Sequence, residues 1–175
     1  MTASLPKLLI VDGFNVLRCG AYYAVCEGHP DFDGEALNSG REALIDDVAL
    51  FAGHDYQAVV VFDGAGNVLS AGESQQVGQV EVIFSPAGTA ADTVIEMRVK
   101  QAVGAGQKAL VVTSDAATQW TVLGSAVTRM SAAGFCREVA NLHAEQQAPP
   151  QIKAKYTLAE RLDPQKLADL RRRFG

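Results

Sequence analysis

Long apolar runs are missing from this 175-residue chain. No stretch approaches the roughly 20 residues that span a bilayer, and the short run behind Lys7 cannot serve as the core of a signal peptide. The expectation is therefore a cytoplasmic protein with no membrane partner. Cysteine is scarce: Cys19, Cys26 and Cys136 are odd in number and show no CxxC spacing. That suggests neither a zinc nor a disulfide framework and suits a reducing compartment. His29, His54 and His143 are scattered over loops and helix ends, so none is expected to act as a catalytic base. A Gly-Lys-Ser/Thr phosphate loop is absent, and Gly104-x-Gly106-x-x-Ala109 precedes a strand where a dinucleotide fingerprint would follow one. Phe14 stands where a phospho-aspartate hydrolase has its second aspartate. Ala36 occupies the position at which a calcium loop beginning at Asp31-x-Asp33 needs glycine. Excess basic charge is lacking too, since the net charge is −5, which argues against long-range attraction to nucleic acid. Its distribution is uneven, however. Through residue 100 there are five Lys and Arg against fourteen Asp and Glu, and from 101 onward ten against six. An acidic site can therefore lie next to a basic docking surface, because phosphate contacts are local.

What the chain does have is a repeated pairing of apolar run and acid. Leu8-Leu9-Ile10-Val11 leads into Asp12, and Val59-Val60-Val61-Phe62 into Asp63. Val82-Ile83-Phe84 leads through a Gly-Thr turn to Asp92, and Leu110-Val111-Val112 into Asp115. Short β-branched runs of this kind read as buried strands of a parallel sheet. The spacing predicts strands near 5–11, 58–62, 80–84, 109–112 and 126–128. Between them, Ser39-x-x-Glu42 predicts a capped helix to about Phe51, and Thr89 a capped helix to about Val103. Further helices are expected near 116–123 and from Ser131 to about Gln146. Residues 20–37 and 64–79 read as loops, the second long enough to suggest function. Strands alternating with helices predict an α/β fold of Rossmann-like, three-layer type with a mostly parallel sheet. One domain is expected over 1–147. A linker at Gln147-Ala148-Pro149-Pro150 then leads to a basic C-terminal helix within 148–175, packed on that domain or appended to it.

In open α/β sheets, ligands bind outside the carboxyl ends of the strands. Two carboxylates about 4 Å apart repel by about 4 kcal/mol at an effective dielectric of about 20, so a cluster there calls for a cation. Oxygen-only ligands select a hard ion, Mg²⁺ or Mn²⁺, one or two in number. Each acid also has a plain structural role available. Asp12-Gly13 and Asp63-Gly64 suit turns, and Asp92 and Ser114-Asp115 suit helix starts. The recurrence of an acid at the end of every major strand is what those roles leave unexplained. Asn15 would reach the Asp12 pocket as an amide ligand or a phosphate contact. Glu96, one turn after Asp92, is a further acid or an exposed helix residue. Thr113 and Ser114 are candidate donors that orient the carboxylates.

The segments Val11-Asp12-Gly13-Phe14-Asn15-Val16, Val61-Phe62-Asp63, Gly88-Thr89-Ala90-Ala91-Asp92 and Val112-Thr113-Ser114-Asp115 together resemble the YacP-like NYN domains of the PIN-like nucleases. Leu123-Gly124-Ser125, Arg129-Met130-Ser131-Ala132 and Arg137-Glu138-Val139 extend the match, as do Arg41 in the helix after Asn38 and the charged tail at Leu170-Arg171-Arg172. The resemblance implies a divalent-metal-dependent endoribonuclease. Asp12, Asp92 and Asp115 correspond to its acidic metal centre, Asn15 to the asparagine of its first motif, and Asp63 to the acid of the second strand. It makes RNA, and mRNA on the ribosome in particular, a candidate substrate. Arg41, Arg129, Arg137, Lys153, Lys155, Arg171, Arg172 and Arg173 become candidate RNA contacts, with solvated helix faces and a dipole-matched C-terminus as the plain alternative. Tyr22 and Tyr23 are read first as core or loop packing and only second as base-stacking residues. Two stretches depart from the family pattern. Gly64-Ala65-Gly66-Asn67 replaces a bulkier, His-containing segment, and Ala116-Ala117-Thr118 lacks a charged residue. The alternative is an RNA- or ribosome-binding module that keeps the sheet without the chemistry.

Overall fold

A strand that is apolar on both faces of its pleat must be covered twice, because neither face can be left in water. The computed structural model describes residues 5–19, 22–23, 35–64, 72–114 and 125–147, and it meets this demand with three layers. The middle layer is a six-stranded mixed sheet in the order β3-β4-β2-β1-β5-β6. Its strands are β1 (Lys7–Asp12), β2 (Tyr56–Phe62), β3 (Ser74–Val77), β4 (Val80–Phe84), β5 (Ala109–Val112) and β6 (Val127–Met130). Every neighbouring pair is parallel except β3 with β4. Helices α1 (Gly13–Leu17), α2 (Glu35–Ala52) and α4 (Ala132–Gln147) cover one face, and α3 (Ala91–Gly104) covers the other.

The period of two along each strand sorts side chains between the two cores. Leu9, Val11, Val60, Phe62 and Val112 join Leu44, Val48 and Phe135 on the α2–α4 side. Leu8, Ile10, Val59, Val61 and Val111 join Val94, Ile95 and Val99 under α3. Full burial of side chains such as Ile10 or Phe62 stabilises the fold by about 1.5–3 kcal/mol each relative to exposure. The chain divides into two compact units, Met1–His143 and Ala144–Gly175, and of the second only 144–147, the end of α4, is described.

Four local expectations change. The helix expected to open at Ser39 begins at Glu35, because its buried stripe starts at Leu37 and continues through Leu44 and Val48. It ends before Gly53, whose φ of 50° suits a residue without Cβ. Thr89 does not cap α3. Its amide closes a turn onto the Pro86 carbonyl at 2.9 Å, and the N-cap position falls to Ala90, which makes no side-chain cap bond. The stretch expected as a loop to Gln79 contains β3, joined to β4 by a two-residue hairpin turn at Gly78-Gln79, with Val77 paired to Val80. Finally, Asp12 opens the short helix α1 instead of a simple turn. The helix expected near 116–123 and the C-terminal helix lie outside the described residues.

Candidate active site at the carboxyl edge of the sheet

The order of the strands fixes where the chemistry sits. From β1 the chain builds outward through β2 to β4, then returns to place β5 on the opposite side of β1. The β1/β5 boundary is thus the switch point at which open α/β sheets form a ligand crevice. Asp12 is the last residue of β1. Its extended backbone (φ −74°, ψ 100°) makes it the N-cap of α1, and its Oδ1 accepts the Asn15 amide at 3.1 Å. This local bond explains why Gly13-Phe14-Asn15 turns into a helix immediately after the strand, and a cap of this kind is typically worth about 1 kcal/mol.

Asn15 then reaches across the switch point. Its Oδ1 accepts the backbone N–H of Ser114 at 2.8 Å, clasping the first motif to the end of β5. Ser114 in turn accepts the N–H of Ala132, the first residue of α4, on its Oγ at 3.1 Å. The two residues therefore position the chain immediately before Asp115. The bond engages the amide oxygen of Asn15. Thr113 is buried and donates its backbone N–H to Met130 O at 3.1 Å.

On the other side of β1, Asp63 follows β2 and its Oδ1 accepts from Ser85 Oγ at 3.4 Å, while the same Oγ accepts the Gly64 N–H at 2.9 Å. Ser85 is fully buried. It was missed in the sequence, although it holds the same place after β4 that the acids hold after β1 and β2. Asp92 lies in the first turn of α3, where the crossover from β4 brings it to the same edge and the helix dipole favours its charge. Glu96 is exposed and ion-paired with Lys100, one turn along α3.

Oxygen donors at one sheet edge are the chemistry a hard divalent ion requires. Among the described residues, no group of three Asp, Glu, His or Cys side chains lies close enough to hold an ion. A closed site at this edge therefore needs a carboxylate from elsewhere, and Asp115, outside the described residues, immediately follows the Ser114 clasp.

The basic candidates divide. Arg41 is half-buried against the aromatic side chains at this edge, whereas Arg129 on β6 and Arg137 on α4 are exposed. Lys153, Lys155, Arg171, Arg172 and Arg173 lie outside the described residues. Tyr23 is not a stacking platform: it is buried, and its hydroxyl donates to Asp47 Oδ2 at 3.0 Å. His143 Nε2 meets the other oxygen of Asp47 at 2.6 Å. This Tyr–Asp–His link, buried at Tyr23 and Asp47 and partly exposed at His143, ties the chain after α1 to α2 and α4, and no short motif announced it. Cys19 and Cys136 carry free thiols. Among the described residues, no helix is long and apolar enough to cross a membrane.

A mixed, mostly parallel α/β sheet with acids along its carboxyl edge defines a nuclease-like fold of the PIN-like class. The chain belongs to the YacP-like NYN domain family, whose profile matches residues 9–174. It is 30% identical over 132 residues to the uncharacterized protein YacP of Bacillus subtilis strain 168, covering 75% of this chain and 74% of that protein. A crystal structure of Rae1 (YacP) from Bacillus subtilis superposes with a TM-score of 0.56 at 25% identity, over 96% of this chain and 95% of the other. A mutant form of the same protein gives a TM-score of 0.57 at 23% identity, over 94% and 98%.

Proposed function

We propose that the carboxyl edge is the active site of a divalent-metal-dependent endoribonuclease. The observation that carries this reading is the Asn15–Ser114 hydrogen bond. It joins the Asp12 motif to the segment entering Asp115 at the switch point of a sheet whose family is nuclease-like. Asp12, Asp92 and Asp115 are the proposed holders of Mg²⁺ or Mn²⁺, with Asp63 as a further ligand, direct or through water. A bound ion would supply an activated water and neutralise charge on the scissile phosphate. The chain's own residues do the rest. Asn15 offers its NH₂ to a phosphate oxygen, and Ser85 orients Asp63 through its hydroxyl. The Asn15–Ser114 bond fixes the end of the described segment that precedes Asp115 in the chain, and Arg129 and Arg137 offer charge to the flanking strand. Hydrolysis of this kind uses neither a histidine base nor the 2′-hydroxyl, so it leaves 5′-phosphate and 3′-hydroxyl ends. The proposed setting is the cytoplasm, with mRNA at the ribosome as substrate.

The test is incubation of defined RNAs and translating ribosomes with wild type, Asp12→Asn and Asp92→Asn, in Mn²⁺ or EDTA, with sequencing of the new 5′ ends. Cleavage that requires the metal and both carboxylates is expected. Mn²⁺ at about one hundred times its Kd should also stabilise the wild type by about 2.7 kcal/mol, and the variants much less. Cutting that persists in EDTA overturns the metal role. RNA binding without any cutting would establish the non-catalytic module instead.

A further inference from the structure

Arg41 is built into the fold as a surface arginine is not. Its guanidinium carbon lies 5.3 Å from the ring centroid of Phe14, 5.5 Å from Phe62 and 5.6 Å from Phe84. The rings brace one another: Phe14 meets Phe62 edge-on at 5.5 Å, and Phe62 stacks on Phe84 at 5.5 Å. Phe62 is fully buried and is the registered cross-strand partner of Phe84, so the floor of this box belongs to the sheet itself.

The hydrogen-bonding of the guanidinium leaves one buried N–H unmet. Its Nη1 donates to Asn38 Oδ1 at 3.3 Å, and its Nε is buried without an acceptor. Among the described residues, no carboxylate pairs with it. Burial alone pulls its pKa below the usual arginine value. A partly desolvated cation with a buried, unmet N–H is costly to keep, and ring faces offset only part of that cost. A guanidinium presents a planar fork that matches the oxygens of a phosphate, and three rings around it restrict where that fork can go. The location completes the case. Phe14 lies two residues after Asp12, Phe62 directly precedes Asp63, and Phe84 directly precedes Ser85. The box is therefore made of the chain neighbours of the carboxyl-edge groups, and it sets one cation beside acids that would otherwise repel a polyanion.

We propose that Arg41, set among the rings of Phe14, Phe62 and Phe84, is a preformed binding site for a backbone phosphate of the RNA strand that lies across the carboxyl edge. This rests on the RNA reading above. A stacked base is the poorer occupant, because the ring faces are already taken up by one another and by the guanidinium.

The experiment is titration of a fluorescently labelled single-stranded oligoribonucleotide with the full chain in EDTA, where cleavage plays no part, at several salt concentrations. Arg41→Met keeps the apolar stem and removes the charge. It should bind about tenfold or more weakly, with a salt slope smaller by about 0.7, the value for one phosphate contact on a single strand. Arg41→Lys keeps the charge and loses the fork, so it should retain the slope while losing several-fold in affinity. Thermal melts of each variant separate these effects from misfolding, and Arg41→Lys decides the matter should Arg41→Met not fold. Wild-type affinity and slope in a folded variant would overturn this inference alone. Absence of RNA binding by the wild type would overturn both it and the nuclease reading.

Discussion

Gly13 leaves no room for a side chain. A Cβ placed on it would lie 2.3 Å from Phe62 Cε1, 2.5 Å from Cδ1 and 3.0 Å from Cζ. Real carbons do not approach so closely, so Gly13→Ala must move the ring or the backbone. The ring cannot swing freely, because Phe62 is fully buried, stacked on Phe84 and met edge-on by Phe14. Overpacking of this kind costs about 1–3 kcal/mol, and the better helix propensity of alanine recovers only part of it in so short a helix. For a chain of this size, that lowers Tm by about 2–4 °C per kcal/mol. Urea unfolding followed by circular dichroism measures the loss, and Gly13→Ala/Phe62→Leu supplies the control. Trimming the ring opens the space the methyl needs, so the double variant should be more stable than the sum of the two single effects, by about 1 kcal/mol. A Gly13→Ala protein as stable as wild type, or strict additivity in the cycle, would refute the reasoning. The same substitution disturbs the floor beneath Arg41, so RNA affinity should fall along with stability.

Other outcomes follow from single contacts. Tyr23→Phe removes the buried hydrogen bond to Asp47 and should destabilise the chain by about 1–3 kcal/mol in urea titrations. Burial, with the Asp47 charge adding to it, raises the Tyr23 phenol above its ordinary 10.0, and burial raises the Cys136 thiol from 9.0 to about 11. Both groups hold their protons more tightly when folded. Their contribution is complete below the unfolded values and is lost as pH climbs through and beyond them. Stability should therefore drop between about pH 9 and about pH 11, less steeply in Tyr23→Phe, and a flat profile would contradict this. Asn15→Ala frees the Ser114 amide at a cost of about 0.5–1.5 kcal/mol, whereas Asn15→Asp keeps an acceptor there and loses the NH₂. Single-turnover cleavage assays should find both impaired and only the first less stable. An active Asn15→Asp would remove the phosphate role given to that NH₂.

The parts of the fold that could be read in the chain are those where one force dominates. Doubly covered strands need unbroken apolar runs, so β1, β2, β4 and β5 were visible at Lys7–Asp12, Tyr56–Phe62, Val80–Phe84 and Ala109–Val112 within a residue or two. β3 was not, because Ser74-Gln75-Gln76-Val77 is exposed throughout and carries no alternation. Among the described residues, its pairing with β4 through the Gly78-Gln79 turn places it. Helix starts misled where a capping pattern competed with tertiary packing: Ser39 and Thr89 had suitable chemistry, but the buried stripe from Leu37 and the turn onto Pro86 prevailed. Asp12 and Asp63 were legible as strand-end residues because strand ends are, and Ser85 could have been found by the same rule. The box around Arg41 and the Tyr23–Asp47–His143 link were beyond reach. Each joins residues distant in the chain through side chains that look ordinary one at a time.

Neither hydrophobic layer includes Asp12, Asp63 or Asp92; both close beneath the edge on which those residues stand. An amide at Asp12 or Asp63 keeps an oxygen that can accept the bonds those carboxylates now accept, so the fold should survive the exchange. Under the proposed function, a copy with amides at those positions would be an intact decoy, occupying the targets of its active siblings and leaving them whole. Mixed with wild type, such a copy would act as a competitor whose potency rises with its share of the pool.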